Sequence, residues 1–409
     1  MISTVDLTVV HPYDPTGPTT SGFDGFLRGF VKELPADWGL EVIGVTRDRS
    51  ERPLLRESML ELSGRRVSFV PVLFDERPER IRRVPLSLRF AVACRLARAI
   101  VPRGRIVQYQ RFESILACPP GRGSRATCFL HNHPPELAGP SSDVRWRGFG
   151  FAQNWLLGRT LRAMDAVWAV DPRTPAWLAE TFPRLVRASP ASVWADPEVF
   201  YPGDEAERQA DRAWLREEFD LAPTAEVCLF AGRLEAQKDV PTLIGAWAHV
   251  ARRRPNAVLA IIGEGRSAPV ARRLADRLGV AERIRWSGFR PWGELVRCYR
   301  AADCVACASA YEAGPRLVVE ALACGTPSAT FAVGEAPAML EPLAELGLVV
   351  ENRSERALGG AIARALELPG GPELAARCAA AAAPFTPARA LAPVFERYRE
   401  WFRQAEASP

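Results

Sequence analysis

The 409-residue sequence has almost no lysine: of its 53 basic residues only Lys32 and Lys238 are not arginine. Long apolar runs are missing too. No stretch approaches the ~18 consecutive apolar residues of a membrane-spanning helix. The start, MISTVDLTVVHPYDPTG, lacks the charged region and long apolar core of a secretory signal. Nine cysteines, an odd number, are scattered without a paired framework, which argues against a disulfide scaffold and for a reducing compartment. A cytoplasmic protein is therefore expected. Cys304 and Cys307 have the spacing of half a zinc site. They lie in an apolar run with no second Cys/His pair near them and read as buried packing. There is also no Asp-x-Asp pair to hold a divalent cation, so no metal and no other cofactor is expected.

The remainder is ordinary globular protein, with 48% hydrophobic and 25% charged residues, enough for two to three domains of ~100–200 residues. The abundance of Arg, Ala and Pro fits a GC-rich coding sequence, so any single arginine carries little information, whereas a lysine stands out. Net charge is +5 but uneven: residues 1–195 hold 27 basic and 19 acidic groups, and residues 196–409 hold 26 and 29. Either this is a solvated surface, or the first half faces an anionic acceptor or a membrane. Segment 77–100, RPERIRRVPLSLRFAVACRLARAI, poses the same choice. Its arginines and apolar residues alternate at helical spacing, as in a core-facing helix with a wet outer face or in a helix lying on a lipid surface. No nucleic-acid partner is expected.

From residue 225 onward, short continuous apolar runs alternate with amphipathic helical patterns. The runs are AEVCLFAG, AVLAIIGEG, RIRWSGF, DCVACAS, PSATFAV and LGLVVE. That alternation predicts βαβ units and a parallel sheet covered on both faces. The first half reads similarly, with strands expected at TVDLTVVHP, LEVIGVT, RRVSFVPVLF, RIVQYQ, ATCFLHNHPP and AVWAVD. The reading is α/β: two Rossmann-like, doubly wound parallel-sheet domains facing across a cleft. The first should cover 1–200 and the second 201–385, with a last helix in 386–409. In such sheets ligands bind outside the carboxyl ends of the strands.

Within FAGRLEAQKDVPTL, Arg233 falls at the end of a strand, Gly232 lets the chain turn, and Lys238 precedes a helix opened by Pro241 at position N1. A helix N-terminus, a forked guanidinium and a compact ammonium together suit a diphosphate. The competing reading is that Arg233 and Lys238 pair locally with Glu235 and Asp239. Further on, YEAGPRLVVEALACGTP places Glu312 and Glu320 eight residues apart. If Glu312 lies in a loop and Glu320 one turn into a helix, both can face one crevice and accept hydrogen bonds from sugar hydroxyls. Gly314 would let backbone N–H groups approach a phosphate. Glutamates of this kind are otherwise surface or capping residues. His131 and His133, in HNHPPEL, end a strand. As metal ligands they lack a third partner beyond Glu136, which leaves loop hydrogen bonding or ligand contact.

The ordered set AGR…K, strand–GE–helix, GF before a helix, and E-x7-E followed by EALACGTP resembles the retaining glycosyltransferases of family 4, which have the GT-B fold. The resemblance covers about 225–350, and SGFDGFLRGF, CFLHNHPP and DPEVFYP extend it more weakly into the first half. It implies a metal-independent enzyme moving a hexose-type sugar from a nucleoside-diphosphate sugar to a hydroxyl acceptor with retention. A polysaccharide, glycolipid or glycosylated natural-product pathway would use such an enzyme, in the cytoplasm or peripherally at the inner face of the membrane. It further implies that Arg233, Lys238, Glu312 and His131 serve catalysis. Gly22, Gly232, Phe289, Arg290, Gly314, Pro315, Arg316, Leu317 and Glu320 would bind the donor, and His133 the acceptor. The final helix would return to the first domain. Three departures stand out: Ser21-Gly22 in place of a glycine pair, Val193-Trp194-Ala195-Asp196 keeping only the aspartate, and Ala313 with Pro315 after Glu312. A nucleotide-sugar binder without transferase activity, or an epimerase on the same fold, would share these features.

Overall fold

The computed structural model describes residues 5–17, 22–76, 84, 86–97, 100–139, 142, 150–185 and 188–407. The chain divides into two compact units. One comprises Met1–Pro135, Gly148–Ala191 and Pro387–Pro409; the other comprises Glu136–Arg147 and Ser192–Thr386.

The first unit is built on β1 (Leu7–Val10), β2 (Leu40–Thr46), β3 (Ser58–Leu62), β4 (Arg65–Phe74), β5 (Ile106–Tyr109), β6 (Arg125–Leu130), β7 (Ala166–Ala169) and β8 (Ala188–Pro190). Their order across the sheet is β3-β4-β2-β1-β5-β6-β7-β8. Its central strands β1, β2 and β5 are Val/Ile/Leu-rich and buried at every position, their polar residues Thr8, Glu41, Thr46 and Gln108 included, as strands covered on both faces are. The helices along this part of the chain are α1 (Gly22–Glu33), α2 (Leu86–Leu96), α3 (Ser114–Ala117), α4 (Pro134–Ala138), α5 (Gly150–Leu161) and α6 (Thr174–Thr181), with α4 spanning the chain position where the division between units falls.

This sheet is not wholly parallel, contrary to the sequence expectation, because β3 runs antiparallel to β4 at the edge. The cause is local. Ser63 (φ 49) and Gly64 (φ 73) both adopt left-handed backbone, which is the two-residue turn that closes a hairpin.

The C-terminal helix, Pro387–Ala407, packs on this first unit. Phe402 meets Trp38 edge-on at 4.8 Å and Phe395 lies 5.2 Å from Phe30. Tyr398 Oη donates a buried hydrogen bond to Gln108 Oε1 on β5 at 2.8 Å. The first-unit segment before the crossing ends at Ala191, earlier than the 200 expected from composition. The difference has a packing reason: Ala195 and Phe200 are buried in the core of the second unit, and Ala195 N–H donates to the Phe385 carbonyl.

The second unit opens with α7 (Glu205–Glu218), capped by the Asp204 side chain on the Glu207 N–H and by Glu207 in return. There follow β9 (Glu226–Ala231), α8 (Val240–Ala251), β10 (Ala257–Ile262), α9 (Ala268–Arg277), β11 (Ile284–Gly288), α10 (Trp292–Ala301), β12 (Cys304–Cys307), α11 (Arg316–Ala323), β13 (Ser328–Phe331), α12 (Ala336–Leu340), β14 (Val349–Val350), α13 (Glu355–Glu367) and α14 (Pro372–Ala382). Strand order is β11-β10-β9-β12-β13-β14, with every pair parallel. Alternate residues of β9 feed two cores, Cys228 and Phe230 into one and Val227 and Leu229 into the other. Hence the strand must be apolar throughout. The chain winds outward from β9 through β10 to β11, then returns beside β9 as β12 and winds the other way. β9 and β12 are therefore the point where the winding reverses, and their C-terminal loops diverge to leave a crevice in this unit.

Candidate active site

The loops leaving β9 and β12 hold the two constellations singled out in the sequence. After β9 the chain makes a tight 3-10 turn over Ala236–Lys238, passes through Asp239 in left-handed conformation (φ 46), and enters α8. Pro241 stands at N2 rather than N1, since α8 begins at Val240. The loop is fastened to its neighbour by Gln237, whose carbonyl accepts from the Ala310 N–H at 2.7 Å and whose Nε2 donates to the Tyr311 carbonyl at 3.2 Å. This fastening brings Lys238 to Glu312. The Lys238 ammonium donates to Glu312 Oε1, and Ser309 Oγ donates to the same oxygen at 2.7 Å.

Lys238 thus pairs with neither Glu235 nor Asp239. Glu235 accepts from Arg266 at 3.0 Å, and Asp239 from Thr242 at 2.9 Å and from Arg353 at 3.5 Å. The pairing is informative because Glu312 is 8% exposed. A carboxylate so buried needs a charged or hydrogen-bonded partner, and removing that partner from a buried pair costs about 3–5 kcal/mol. Arg233, one residue past Gly232, is exposed, and it has no ion pair among the described residues.

Glu320 sits in the middle of α11 and is 7% exposed. Its Oε1 accepts from Arg316 Nε at 3.1 Å and Nη2 at 3.0 Å, and its Oε2 accepts from Tyr299 Oη at 3.1 Å. Burial pushes its carboxyl above the ordinary glutamate value. Arg316, the Tyr299 hydroxyl and the charge of Lys238 pull it back. Lys238 thus bonds Glu312 directly, and its charge also favours the ionised form of Glu320.

The glycines here serve close approach. A side chain on Gly314 would strike Val193 Cγ2 at 2.5 Å and Glu335 Oε2 at 2.7 Å. Gly334 has φ 50, and a Cβ there would come within 2.0 Å of the Ala313 carbonyl, so two backbones run in contact beneath the Glu312 loop. Pro315 precedes α11, its carbonyl accepting from Val318, while Leu317 packs against both cores. On the far side of β9, Phe289 is 51% exposed. Arg290 is held by Glu294 at 2.8 Å and also by Glu218, which engages its side chain within the unit.

In the first unit, His131 follows β6 and shares a 2.7 Å hydrogen bond between Nε2 and Gln110 Oε1. An amide oxygen can only accept, so Nε2 carries the proton. Phe26 meets the ring edge-on at 4.9 Å and Phe129 stacks on it at 5.9 Å. Burial, then the neighbouring Arg111 and His11, hold its pKa down to about 3. His131 is therefore neutral near pH 7. His133 Nδ1 bonds Thr174 Oγ1 at 2.9 Å and its ring meets Trp177. Gly22 is the first residue of α1, and Ser21 lies outside the described residues. Of the basic segment, residues 77–83, 85, 98 and 99 also lie outside them. Within α2, Phe90 and Cys94 are buried while Leu88, Val92 and Leu96 are exposed on the opposite face.

Four contributors escaped the sequence reading: Gln237, Ser309, Arg353 and Tyr299. Gln237 and Ser309 adjoin residues that were singled out. Tyr299, inside WGELVRCYRAA, looks like any core aromatic on an amphipathic helix.

Comparison with known proteins places these features. Residues 211–384 match the family model for glycosyl transferases group 1. A D-inositol 3-phosphate glycosyltransferase of Corynebacterium glutamicum is 38% identical over 187 residues, 44% of this chain and 44% of that protein. One from Segniliparus rotundus is 37% identical over 134 residues, 32% of this chain and 30% of that protein. The matched region thus spans less than half the length of these relatives. Among solved structures, sucrose-phosphate synthase from Thermosynechococcus elongatus superposes with TM-score 0.75 at 19% identity, covering 98% of this chain and 100% of that one. Anabaena HepE in complex with UDP-glucose gives 0.67 at 14% identity, covering 97% and 99%. At these identities the likeness is one of fold, and the fold is GT-B.

Proposed function

We propose, for a chain whose residues 211–384 match the family model for glycosyl transferases group 1, that it transfers a hexose-type sugar from a nucleoside-diphosphate sugar to a hydroxyl acceptor, retaining the anomeric configuration. The observation that carries this reading is the meeting of Lys238 and Glu312 where the second sheet reverses its winding. A lone lysine and a buried carboxylate face each other there, beside an exposed Arg233 and a second buried carboxylate, Glu320.

In this scheme the ammonium of Lys238 and the guanidinium of Arg233 take up the negative charge that grows on the diphosphate as the anomeric C–O bond breaks. No divalent cation is needed for that. Glu312 accepts hydrogen bonds from hydroxyls of the donated sugar, with Gly314–Leu317 backbone beside it, and Glu320 accepts from the ribose. Backbone at Phe289 and Arg290 meets the base. The acceptor oxygen attacks the anomeric carbon from the face the diphosphate leaves, and its proton passes to a departing phosphate oxygen. His131, neutral near pH 7, serves the transfer as a polar contact of the sugar rather than as an acid. The first unit, with His133, holds the acceptor. The exposed apolar side of α2, set among arginines, supports a peripheral contact with an anionic membrane that carries it.

The deciding experiment is a thermal-shift panel of nucleoside diphosphates and their sugars, since a ligand that binds only the folded state raises its apparent stability. The existence of a UDP-glucose complex of HepE makes uridine diphosphate sugars the first to try. A stabilising nucleotide sugar that is slowly hydrolysed, and consumed faster with an acceptor, supports the transferase. Stabilisation without turnover would leave a binding protein, and an isomerised sugar would indicate an epimerase.

A further inference from the structure

Tyr299 is 1% exposed, and its hydroxyl is spent on one acceptor, Glu320 Oε2, at 3.1 Å. Packing alone does not ask for this hydroxyl. Phenylalanine would fill the same space beside Phe200, whose ring lies 6.2 Å away. The tyrosine is also fixed from behind, because Thr326 Oγ1 donates to its carbonyl at 2.6 Å and ties α10 to the end of α11. On the other carboxylate oxygen, Arg316 makes two contacts, at 3.0 and 3.1 Å. Arg316 is positioned in turn, its guanidinium 5.9 Å from the Trp292 ring. The carboxylate of Glu320 is therefore gripped from two helices, one hand on each oxygen. A carboxylate offers about four acceptor sites, so this grip leaves acceptor capacity over while removing its freedom to rotate.

We propose that Tyr299 is a positioning residue for nucleoside recognition: together with Arg316 it fixes Glu320 as a pre-oriented acceptor for a vicinal diol, so that the site selects ribonucleoside over 2′-deoxyribonucleoside diphosphates. This rests on reading the second unit as a nucleoside-diphosphate site. The physical reason is preorganisation. An acceptor held in place forms its ligand bonds without losing rotamer freedom, and a charged acceptor deprived of a hydroxyl partner loses a strong bond.

The test is isothermal titration of the full chain with UDP, GDP and ADP and with the 2′-deoxy form of each. For whichever base binds, the wild type should favour the ribo form about tenfold or more, the size of one hydrogen bond to a charged group. In Tyr299→Phe that ratio should fall to within about threefold, through weaker binding of the ribo form, with the deoxy affinity nearly unchanged. A merely structural tyrosine would weaken both forms alike. If Tyr299→Phe keeps the wild-type ratio, the inference fails while the nucleotide site stands. If the wild type binds none of the three, both fail together. Should Tyr299→Phe not fold, Arg316→Met, on the partly exposed side of the same carboxylate, carries the test: loss of the ratio supports the inference and its retention overturns it.

Discussion

Replacing Lys238 by methionine keeps most of the length of the side chain and removes its charge. Two effects follow from the geometry. Among the described residues, Glu312, 8% exposed, is then left with the Ser309 hydroxyl as its side-chain hydrogen-bond partner. Stranding a buried carboxylate costs about 3–5 kcal/mol when the pair is fully desolvated. Lys238 retains 22% of its side-chain exposure, so water can relieve part of this and a loss of about 1–3 kcal/mol is the sounder expectation. The second effect is on ligand: one ammonium–phosphate bond is worth about 1.5–3 kcal/mol, or about ten- to a hundredfold in affinity. The two effects are separable. Denaturant titration reads the first, and calorimetric titration with a nucleoside, its monophosphate and its diphosphate reads the second. The nucleoside should bind Lys238→Met as it binds the wild type, whereas the diphosphate should lose its advantage. Lys238→Arg should restore stability better than it restores diphosphate affinity, because a planar fork does not occupy the place of a compact ammonium. Equal loss of nucleoside and diphosphate binding, or no loss of either, would refute the assignment of Lys238 to the diphosphate.

Other expectations concern Glu320, His131, metal and membrane. The Glu320 carboxyl is raised by burial, so the unfolded chain releases this proton at lower pH than the folded one. Its contribution to stability is therefore present below the ordinary glutamate value and lost as pH rises through the raised folded value. The denaturation midpoint of Glu320→Gln relative to wild type should climb over that rise, while its nucleotide affinity falls. His131 has the opposite sign: its pKa is lowered to about 3. Its stabilising contribution is complete above about 6.5 and is lost as pH falls toward 3, and NMR titration of the ring should show no protonation between pH 5 and 8. Chelation by EDTA should leave transfer unchanged, and NMR of the product should show the donor's anomeric configuration. Leu88→Glu with Val92→Glu on α2 should abolish flotation with anionic vesicles without altering diphosphate affinity; unchanged flotation would remove the membrane from the account.

The second unit was legible because its central strands β9, β10 and β12 are short apolar runs buried on both faces and followed by helices of clear period. With the strands placed, Arg233, Lys238 and Glu312 fell in the loops after strands β9 and β12, and Glu320 in the helix that follows, by counting alone. Their partners did not. That Lys238 meets Glu312 depends on Gln237 stapling one loop to the next, a contact between residues 74 positions apart for the Nε2 bond. Tyr299 and Glu320 join across two helices, and no periodicity distinguishes a tyrosine whose hydroxyl works from one that only packs. In the first unit, strand β3 was missed because SMLEL is half exposed on an edge. Its Ser63-Gly64 turn was the available signal. In segment 192–200 the turn-forming residues suggest a linker, while Ala195 and Phe200 lie in the core of the second unit.

A crystal structure of the chain with an intact nucleoside-diphosphate sugar tests the central claim most directly. The account predicts phosphate oxygens within hydrogen-bond distance of Lys238 Nζ, with the ribose on Glu320 and the sugar on Glu312. Phosphates lodged elsewhere, with the Lys238–Glu312 pair undisturbed, would contradict it.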